Sequence, residues 1–226
     1  NTPIIEDAAE SLGAEYNNRK CGSFGEISIL SFNGNKIITT SGGGMLLTDN
    51  EAYIIEAKKL ASQSREQAIH YEHAQIGYNY RMSNILAALG RAQLKSLSSY
   101  VEKRRKIFNY YYDHLNNINE ISFMPEIKNG KSSRWLSVIL LKNKTHDKIN
   151  EIIKVFEREG IETRPIWKPM HLQPIYFDTP FYHNKINPLS KDLFDRGLCL
   201  PSGSSLTNDD LDKIIDILCK EINEDY

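Results

Sequence analysis

A lysine stands in the run Ser31-Phe32-Asn33-Gly34-Asn35-Lys36, followed by Ile37-Ile38-Thr39-Thr40-Ser41 and then by Gly42-Gly43-Gly44. Upstream, Glu26 to Phe32 alternates polar and apolar residues, and Met45-Leu46-Leu47 resumes an extended pattern. This places Lys36 on a loop at a rigid strand end, hemmed by small residues. Small residues let a cofactor or backbone approach closely, so the amine is well set for Schiff-base chemistry with a carbonyl. Spacing alone also describes a solvated lysine in a polar turn, and other segments must decide.

The first such segment is Pro3-Ile4-Ile5-Glu6-Asp7-Ala8-Ala9-Glu10-Ser11-Leu12-Gly13-Ala14, a short buried-strand pattern that ends in two carboxylates and a small-residue turn. Taken alone, Glu6-Asp7 reads as a helix-capping pair. In an α/β sheet, however, carboxylates at the C-terminal end of a strand sit where ligands bind. Pyridoxal phosphate requires both parts: a lysine for its aldehyde and a carboxylate that keeps its ring nitrogen protonated, which makes the ring an electron sink. Lys36 and Asp7 fit those two roles.

These motifs carry a family resemblance. Glu6 to Ala14, Gly22-Ser23-Phe24-Gly25, the lysine loop with its glycines, and Gly77-Tyr78-Asn79-Tyr80-Arg81-Met82-Ser83-Asn84 resemble successive motifs of the DegT/StrS sugar aminotransferases. The likeness continues through Ile85 to Leu94, Arg134-Trp135-Leu136 and Arg164-Pro165-Ile166-Trp167-Lys168-Pro169-Met170-His171, in family order along nearly the whole chain. The resemblance implies an α/β protein of pyridoxal-phosphate-dependent transferase fold type I, comprising part of the large α/β domain plus a small C-terminal α+β domain. Within the family, the Gly-Asn-Lys, Arg-Trp-Leu and Trp-Lys-Pro-Met-His motifs are most similar to enzymes that aminate the C4 ketone of a UDP-linked 2-acetamido-4-keto-6-deoxy hexose, of the bacillosamine and legionaminic type. Perosamine synthases, acting on a GDP-linked sugar, compete with them.

The resemblance also assigns roles. Lys36 is the expected catalytic lysine, which holds the cofactor aldehyde and moves a proton between the amino donor and the cofactor. Asp7 is expected at the pyridine nitrogen, Ser31 at the cofactor phosphate, and Asn79 at the phosphate in a neighbouring subunit, which implies a homodimer with a shared active site. Glu10 departs from the glutamine or histidine found in many members. A carboxylate beside the phenolic oxygen of the cofactor is unfavourable unless protonated or displaced, and Glu10 is expected near the ring. Arg164, Trp167, Lys168 and His171 form a Pro-bracketed loop whose cations and indole suit a nucleotide pyrophosphate and base. Trp135 and Arg81 complete the expected substrate contacts, each with a structural alternative as core or ion pair.

The elements that position these groups are legible from periodicity. Asn50 to Gln63 reads as a helix with Ile54, Ile55 and Leu60 on one face. Ser83 to Leu94 reads as a helix with Ile85, Ala88, Leu89 and Ala92 in a buried stripe. A helix from Ser99 to about Asn117 carries Lys103-Arg104-Arg105-Lys106 on a solvated face. Strand, helix and strand then follow over Arg134–Lys142, Asp147–Glu159 and Ile161–Arg164, the helix with Ile149, Ile152, Ile153 and Phe156 in an apolar stripe. A last helix, starting near an Asn208-Asp209-Asp210 cap, places Leu211, Ile214, Ile215 and Leu218 on one face. The expected boundary separates residues 1–105, the rest of the cofactor domain, from 106–226. His70 and His73 lack a third ligand at sensible spacing, and no metal is expected.

With 226 residues, 28 Lys plus Arg against 29 Asp plus Glu, and a formal charge of −1, the chain can bury a substantial core. It has no long basic block to suggest nucleic acid or an anionic membrane. Its apolar runs are too short to span a bilayer, and cytoplasm is the expected compartment. Cys21, Cys199 and Cys219 show no disulfide or zinc spacing. The chain begins at Asn1 directly before the Asp7 strand, whereas the resembled enzymes carry the front half of the large domain ahead of that point. A fragment is therefore expected, and a noncatalytic binding chain is one alternative. Sugar dehydratases of the same fold are another, but they replace the lysine with histidine, and Lys36 argues against them. The amino donor implied is L-glutamate.

Overall fold

The computed structural model describes residues 2–183 and 188–223. The chain forms two compact units, Asn1–Glu102 with Glu126–Trp135, and Lys103–Pro125 with Leu136–Tyr226. The first break falls at 102/103, and residues 126–135 return to the first unit.

The first unit opens with β1 (Ile5–Asp7), β2 (Glu15–Tyr16), β3 (Arg19–Lys20), β4 (Ile27–Ser31) and β5 (Gly44–Leu47). β1 and β4 run parallel, from Ile5 opposite Ile27 to Asp7 opposite Ile29, and β5 returns antiparallel along β4. Parallel strands end on the same side, so Asp7 and Ser31 close the C-terminal ends of β1 and β4, where the lysine loop begins. The alternation along β4 puts Ser28 inside, at 1% exposure, and leaves Ile29 39% exposed. Ser28 is tolerated there because its hydroxyl donates to the Glu6 carboxylate at 3.1 Å.

Two capped helices follow. In α1 (Glu51–Ala61) the Asn50 side chain accepts from the Ala52 amide, Glu51 sits in the first turn and Lys58 and Lys59 in the last, a charge order that suits the helix dipole. In α2 (Asn84–Leu94) Ser83 accepts from the Leu86 amide. Neither helix contains a buried residue. The stripe expected to be buried on α2 is open, with Ile85 77% and Leu89 44% exposed, and Ile55 on α1 is 62% exposed. Helical spacing determines which residues share a face but says nothing about what lies over it.

Helix α3 (Leu97–Leu115) passes from the first unit into the second. After β6 (Ile121–Phe123), strand β7 (Gly130–Lys131) pairs with β2, Glu15 opposite Lys131, which is why its segment belongs to the first unit. The second unit continues with β8 (Ser137–Leu141), α4 (His146–Arg158), β9 (Arg164–Pro165), α5 (Leu189–Arg196), β10 (Gly197–Leu200) and α6 (Asn208–Asn223). Its four strands form one antiparallel sheet in the order β6-β8-β10-β9.

Among the described residues, the main cluster of buried hydrophobic side chains lies in this second unit. The stripe of α4 is realised, with Ile149, Ile152 and Phe156 fully enclosed, and so is that of α6, through Leu211, Ile214, Ile215 and Leu218. These pack with Ile139, Leu141, Leu198 and Leu200 of the sheet and with Tyr111 and Leu115 of α3. Each such side chain contributes about 1.5–3 kcal/mol of transfer free energy. The cap of α6 is Thr207, just before the Asn208-Asp209-Asp210 run near which the cap is expected. Its hydroxyl accepts from the Asp210 amide at 3.3 Å while the Asp210 carboxylate accepts from the Thr207 amide at 2.9 Å. That reciprocal pair satisfies two otherwise unpartnered groups, which Asn208 does not do.

Candidate active site

Lys36 lies in the loop between β4 and β5, and its side chain is only 12% exposed. Its Nζ donates to Glu10 Oε1 at 3.0 Å and sits 4.4 Å from the ring centroid of Trp135. Trp135 is itself 8% exposed and donates its indole Nε1–H to the Asn35 carbonyl at 2.8 Å. Three residues from distant parts of the sequence thus meet around one amine, with a carboxylate on one side and an aromatic face on the other.

The loop is held rigid from several directions. Ile37 and Ile38 are buried, the Thr40 amide donates to the Phe32 carbonyl at 2.9 Å, and the Phe32 amide donates to the Gly43 carbonyl at 3.1 Å. From α2, Gln93 accepts the Thr39 amide through Oε1 at 3.1 Å and donates Nε2–H to the Thr39 carbonyl at 2.6 Å. One side-chain amide thereby mimics a strand neighbour for Thr39. Gly90, one turn earlier on α2, lets the loop come this close, since a Cβ there would stand 2.8 Å from Thr40 Cγ2.

Of the two adjacent carboxylates on β1, Glu6 is the enclosed one. It accepts from the amides of Gly22 at 2.6 Å, Phe24 at 2.9 Å and Gly25 at 3.2 Å, and from the Ser28 hydroxyl. Burial pushes its carboxyl up, but the donors from Gly22, Phe24, Gly25 and Ser28 outweigh it, and the net effect holds the group below its ordinary value. Glu6 ties the Gly22–Gly25 turn to β1, and Asp7, next in the strand, points the other way into an exposed position. Asp7 Oδ1 accepts from the Ala9 amide at 3.1 Å. Ser31 Oγ stands 3.5 Å from the Asn33 amide.

The remaining residues singled out from sequence lie elsewhere. Asn79 and Arg81 are exposed in the segment between α1 and α2, where Asn79 bridges to Ser62 and lines an open depression with Gln63, His73, Gln75 and Gly77. His73 Nδ1 is engaged by the Gln63 carbonyl at 2.8 Å, and among the described residues no His, Cys, Asp and Glu group has the makings of a metal site. Arg164, Trp167, Lys168 and His171 belong to the second unit. Arg164 pairs with Glu162, Trp167 is 54% exposed, Lys168 is exposed, and His171 stacks on Phe181 with centroids 3.8 Å apart.

Sequence reasoning passed over Glu6, Gln93 and the Trp135–Asn35 bond. Gln93 left a signal, because it interrupts the row Ile85, Leu89, Gln93 with a polar residue where the four-residue spacing calls for an apolar one. Glu6 left none that distinguishes it from Asp7.

A sequence profile of the DegT/DnrJ/EryC1/StrS aminotransferase family matches residues 1–219. The protein named "Putative pyridoxal phosphate-dependent aminotransferase EpsN" of Bacillus subtilis is 51% identical over 217 residues, covering 96% of this chain and 55% of that protein. GDP-perosamine synthase of Escherichia coli O157:H7 is 35% identical over 223 residues, covering 99% of this chain and 58% of its own length. Among solved structures, Helicobacter pylori PseC, an aminotransferase involved in the biosynthesis of pseudoaminic acid, superposes with a TM-score of 0.89 at 24% identity, over 98% of this chain and 60% of that one. The chain therefore spans a little over half the length of the relatives it matches.

Proposed function

Because the chain belongs to the DegT/DnrJ/EryC1/StrS aminotransferase family, we propose that it is part of an enzyme that uses pyridoxal phosphate to move an amino group from L-glutamate to the C4 ketone of a nucleotide-linked 4-keto-6-deoxy sugar. The observation that carries this reading is the cradle of Lys36, a nearly buried amine between a carboxylate at 3.0 Å and an indole face at 4.4 Å. A lysine kept out of water and held in place is suited to a reacting carbonyl, where a solvated surface lysine is not.

The residues present fit the cofactor. Asp7 and Ser31 share the C-terminal edge of two adjacent parallel strands, and Lys36 follows on the loop from that edge, a placement that supports reading them as ring-nitrogen partner, phosphate partner and reacting amine. Lys36 would hold the aldehyde, Asp7 the pyridine nitrogen and Ser31 the phosphate. When bound, the group supplies an electron-accepting ring that loosens the proton on Cα of the amino donor. The work of this chain is then to take up that proton on Nζ of Lys36 and return it, with Glu10 holding the amine in position between transfers.

For the substrate we favour a UDP-linked 2-acetamido sugar, on the lysine-loop, Arg134-Trp135 and Trp167-Lys168-Pro169-Met170-His171 motifs, with Arg81, Arg164, Trp167, Lys168 and His171 as its contacts. The 35% identity to GDP-perosamine synthase supports the second reading, a GDP-linked sugar. The open face of α2 and the exposed Tyr78 and Tyr80, stacked with centroids 5.0 Å apart, support a homodimer in which Asn79 reaches the partner's cofactor. No helix among the described residues is long and apolar enough to cross a membrane, and the cytoplasm is the proposed compartment.

The test is to incubate the protein containing this chain with pyridoxal phosphate, reduce with borohydride, and locate the adduct by peptide mass spectrometry. A single adduct on Lys36, together with loss of amino transfer but retention of nucleotide-sugar binding in Lys36→Ala, supports the reading. Scattered labelling of surface lysines, or turnover by Lys36→Ala, sinks it.

A further inference from the structure

We propose that Trp135 is a positioning residue for Lys36 and not a contact for the sugar. The proposal rests on the reading of Lys36 as the reactive lysine, and it assigns to one indole the task of fixing both ends of that side chain. At the backbone end, the peptide unit joining Asn35 to Lys36 is hydrogen-bonded on both sides. Its carbonyl accepts from Trp135 Nε1 at 2.8 Å, and its N–H donates to the Asn33 carbonyl at 3.0 Å. A peptide plane held from both sides cannot swivel, so Cα of Lys36 has one place and one direction. At the far end, the face of the same ring lies 4.4 Å from Nζ, while Glu10 limits the amine from another side at 3.0 Å.

Burial argues in the same direction. An indole that is 8% exposed, with one face against the Lys36 amine and its N–H engaged by backbone, has little surface left to offer a ligand. Trp167, 54% exposed, has the character expected of a nucleotide-stacking ring. The two tryptophans of the chain thus differ in setting: one is enclosed against the amine, and the other is more than half exposed. Positioning of this kind matters because small displacements of a reacting group lower rates steeply without disturbing substrate affinity.

The test compares Trp135→Phe and Trp135→Leu in the protein containing this chain by two readouts. One is the rate at which an acetylating reagent modifies Lys36, followed by peptide mass spectrometry in the absence of cofactor. The other is the split between kcat and KM for the nucleotide sugar. Removing the ring should raise Lys36 acetylation by about tenfold in the leucine variant and less in the phenylalanine variant, which keeps an aromatic face. The leucine variant should lose about tenfold or more in kcat with KM within about twofold. A raised KM with unchanged acetylation would make Trp135 a substrate contact, and no change in either readout would make it mere filler; both overturn the proposal. Where the leucine variant does not fold, the phenylalanine variant decides by the same criteria. Borohydride trapping on the unmodified protein separates the premise from the proposal: an adduct away from Lys36 removes the function assigned to the amine, while acetylation still reports whether Trp135 positions it.

Discussion

Gln93 closes its side-chain amide on both polar backbone groups of Thr39, accepting from the amide at 3.1 Å and donating to the carbonyl at 2.6 Å. The pair links α2 to the loop that carries Lys36, across 54 positions of sequence. Gln93→Leu leaves a donor and an acceptor unpartnered in a partly buried place and should destabilise the protein by about 1–3 kcal/mol. Gln93→Glu is the sharper variant, since a carboxylate accepts from the Thr39 amide but repels its carbonyl. Its urea midpoint should lie nearer to that of the leucine variant than to the parent. A glutamate variant as stable as the parent would show that the donated bond has no weight.

Glu6 predicts a pH dependence. Its carboxyl is held below the ordinary value of 4.5 in the folded protein by donors from Gly22, Phe24, Gly25 and Ser28, against the opposing effect of burial. A depressed folded value means the carboxylate binds fewer protons folded than unfolded. Its contribution is therefore fully present above about pH 4.5 and is lost as pH falls through the folded value. Glu6→Gln should cost about 1.5–3 kcal/mol at pH 7, because one side of an amide cannot accept from the Phe24, Gly25 and Ser28 donors. Denaturant titrations of parent and variant between pH 7 and pH 3 should converge on the acid side. Curves that stay parallel would remove Glu6 from the acid response.

The site was legible in sequence where chemistry sets residue type, and illegible where geometry chooses among equals. Lys36, Asp7 and Ser31 can be singled out as candidates because strand-end position and residue chemistry mark them in one dimension. That Glu6 faces inward and Asp7 outward depends on which way β1 is turned, and the pair Glu6-Asp7 offers no clue to it. Trp135 was picked out as a substrate contact, yet its bond to Asn35 spans 100 positions, and only the folded chain brings the two together. The fold behaved likewise. The stripes of α4 and α6 are buried because the sheet of the second unit lies against them, whereas the apolar stripe on α2 faces outward. Pattern identifies a face, and the partner for that face is a separate fact.

That open face carries a prediction tied to the proposed homodimer. Ile85 and Leu89 stand 77% and 44% exposed on α2, apolar side chains one turn apart. Coverage by a second copy would remove both from water, a gain of about 1.5–3 kcal/mol for each fully buried side chain. Ile85→Glu should then weaken association enough to shift the protein containing this chain toward monomer in light scattering at micromolar concentration. An unchanged mass would place the subunit contact elsewhere.

Tyr111 tests the second unit independently of any catalytic reading. It is fully buried on α3, and its hydroxyl donates to the Pro201 carbonyl at 2.9 Å, just beyond the end of β10. Burial pushes the phenol well above its usual range, with the Asp210 carboxylate adding to the effect, so the group remains a neutral donor throughout the working pH range. Tyr111→Phe keeps the ring and its packing but leaves the Pro201 carbonyl without this donor, which should lower stability by about 1–2 kcal/mol. Tyr111→Ala adds a cavity where the ring stood and should cost about 3–5 kcal/mol. The difference between the two separates the hydrogen bond from the packing. Equal losses in thermal or urea unfolding would mean that the ring contributes nothing beyond its hydroxyl, contrary to its place in the core.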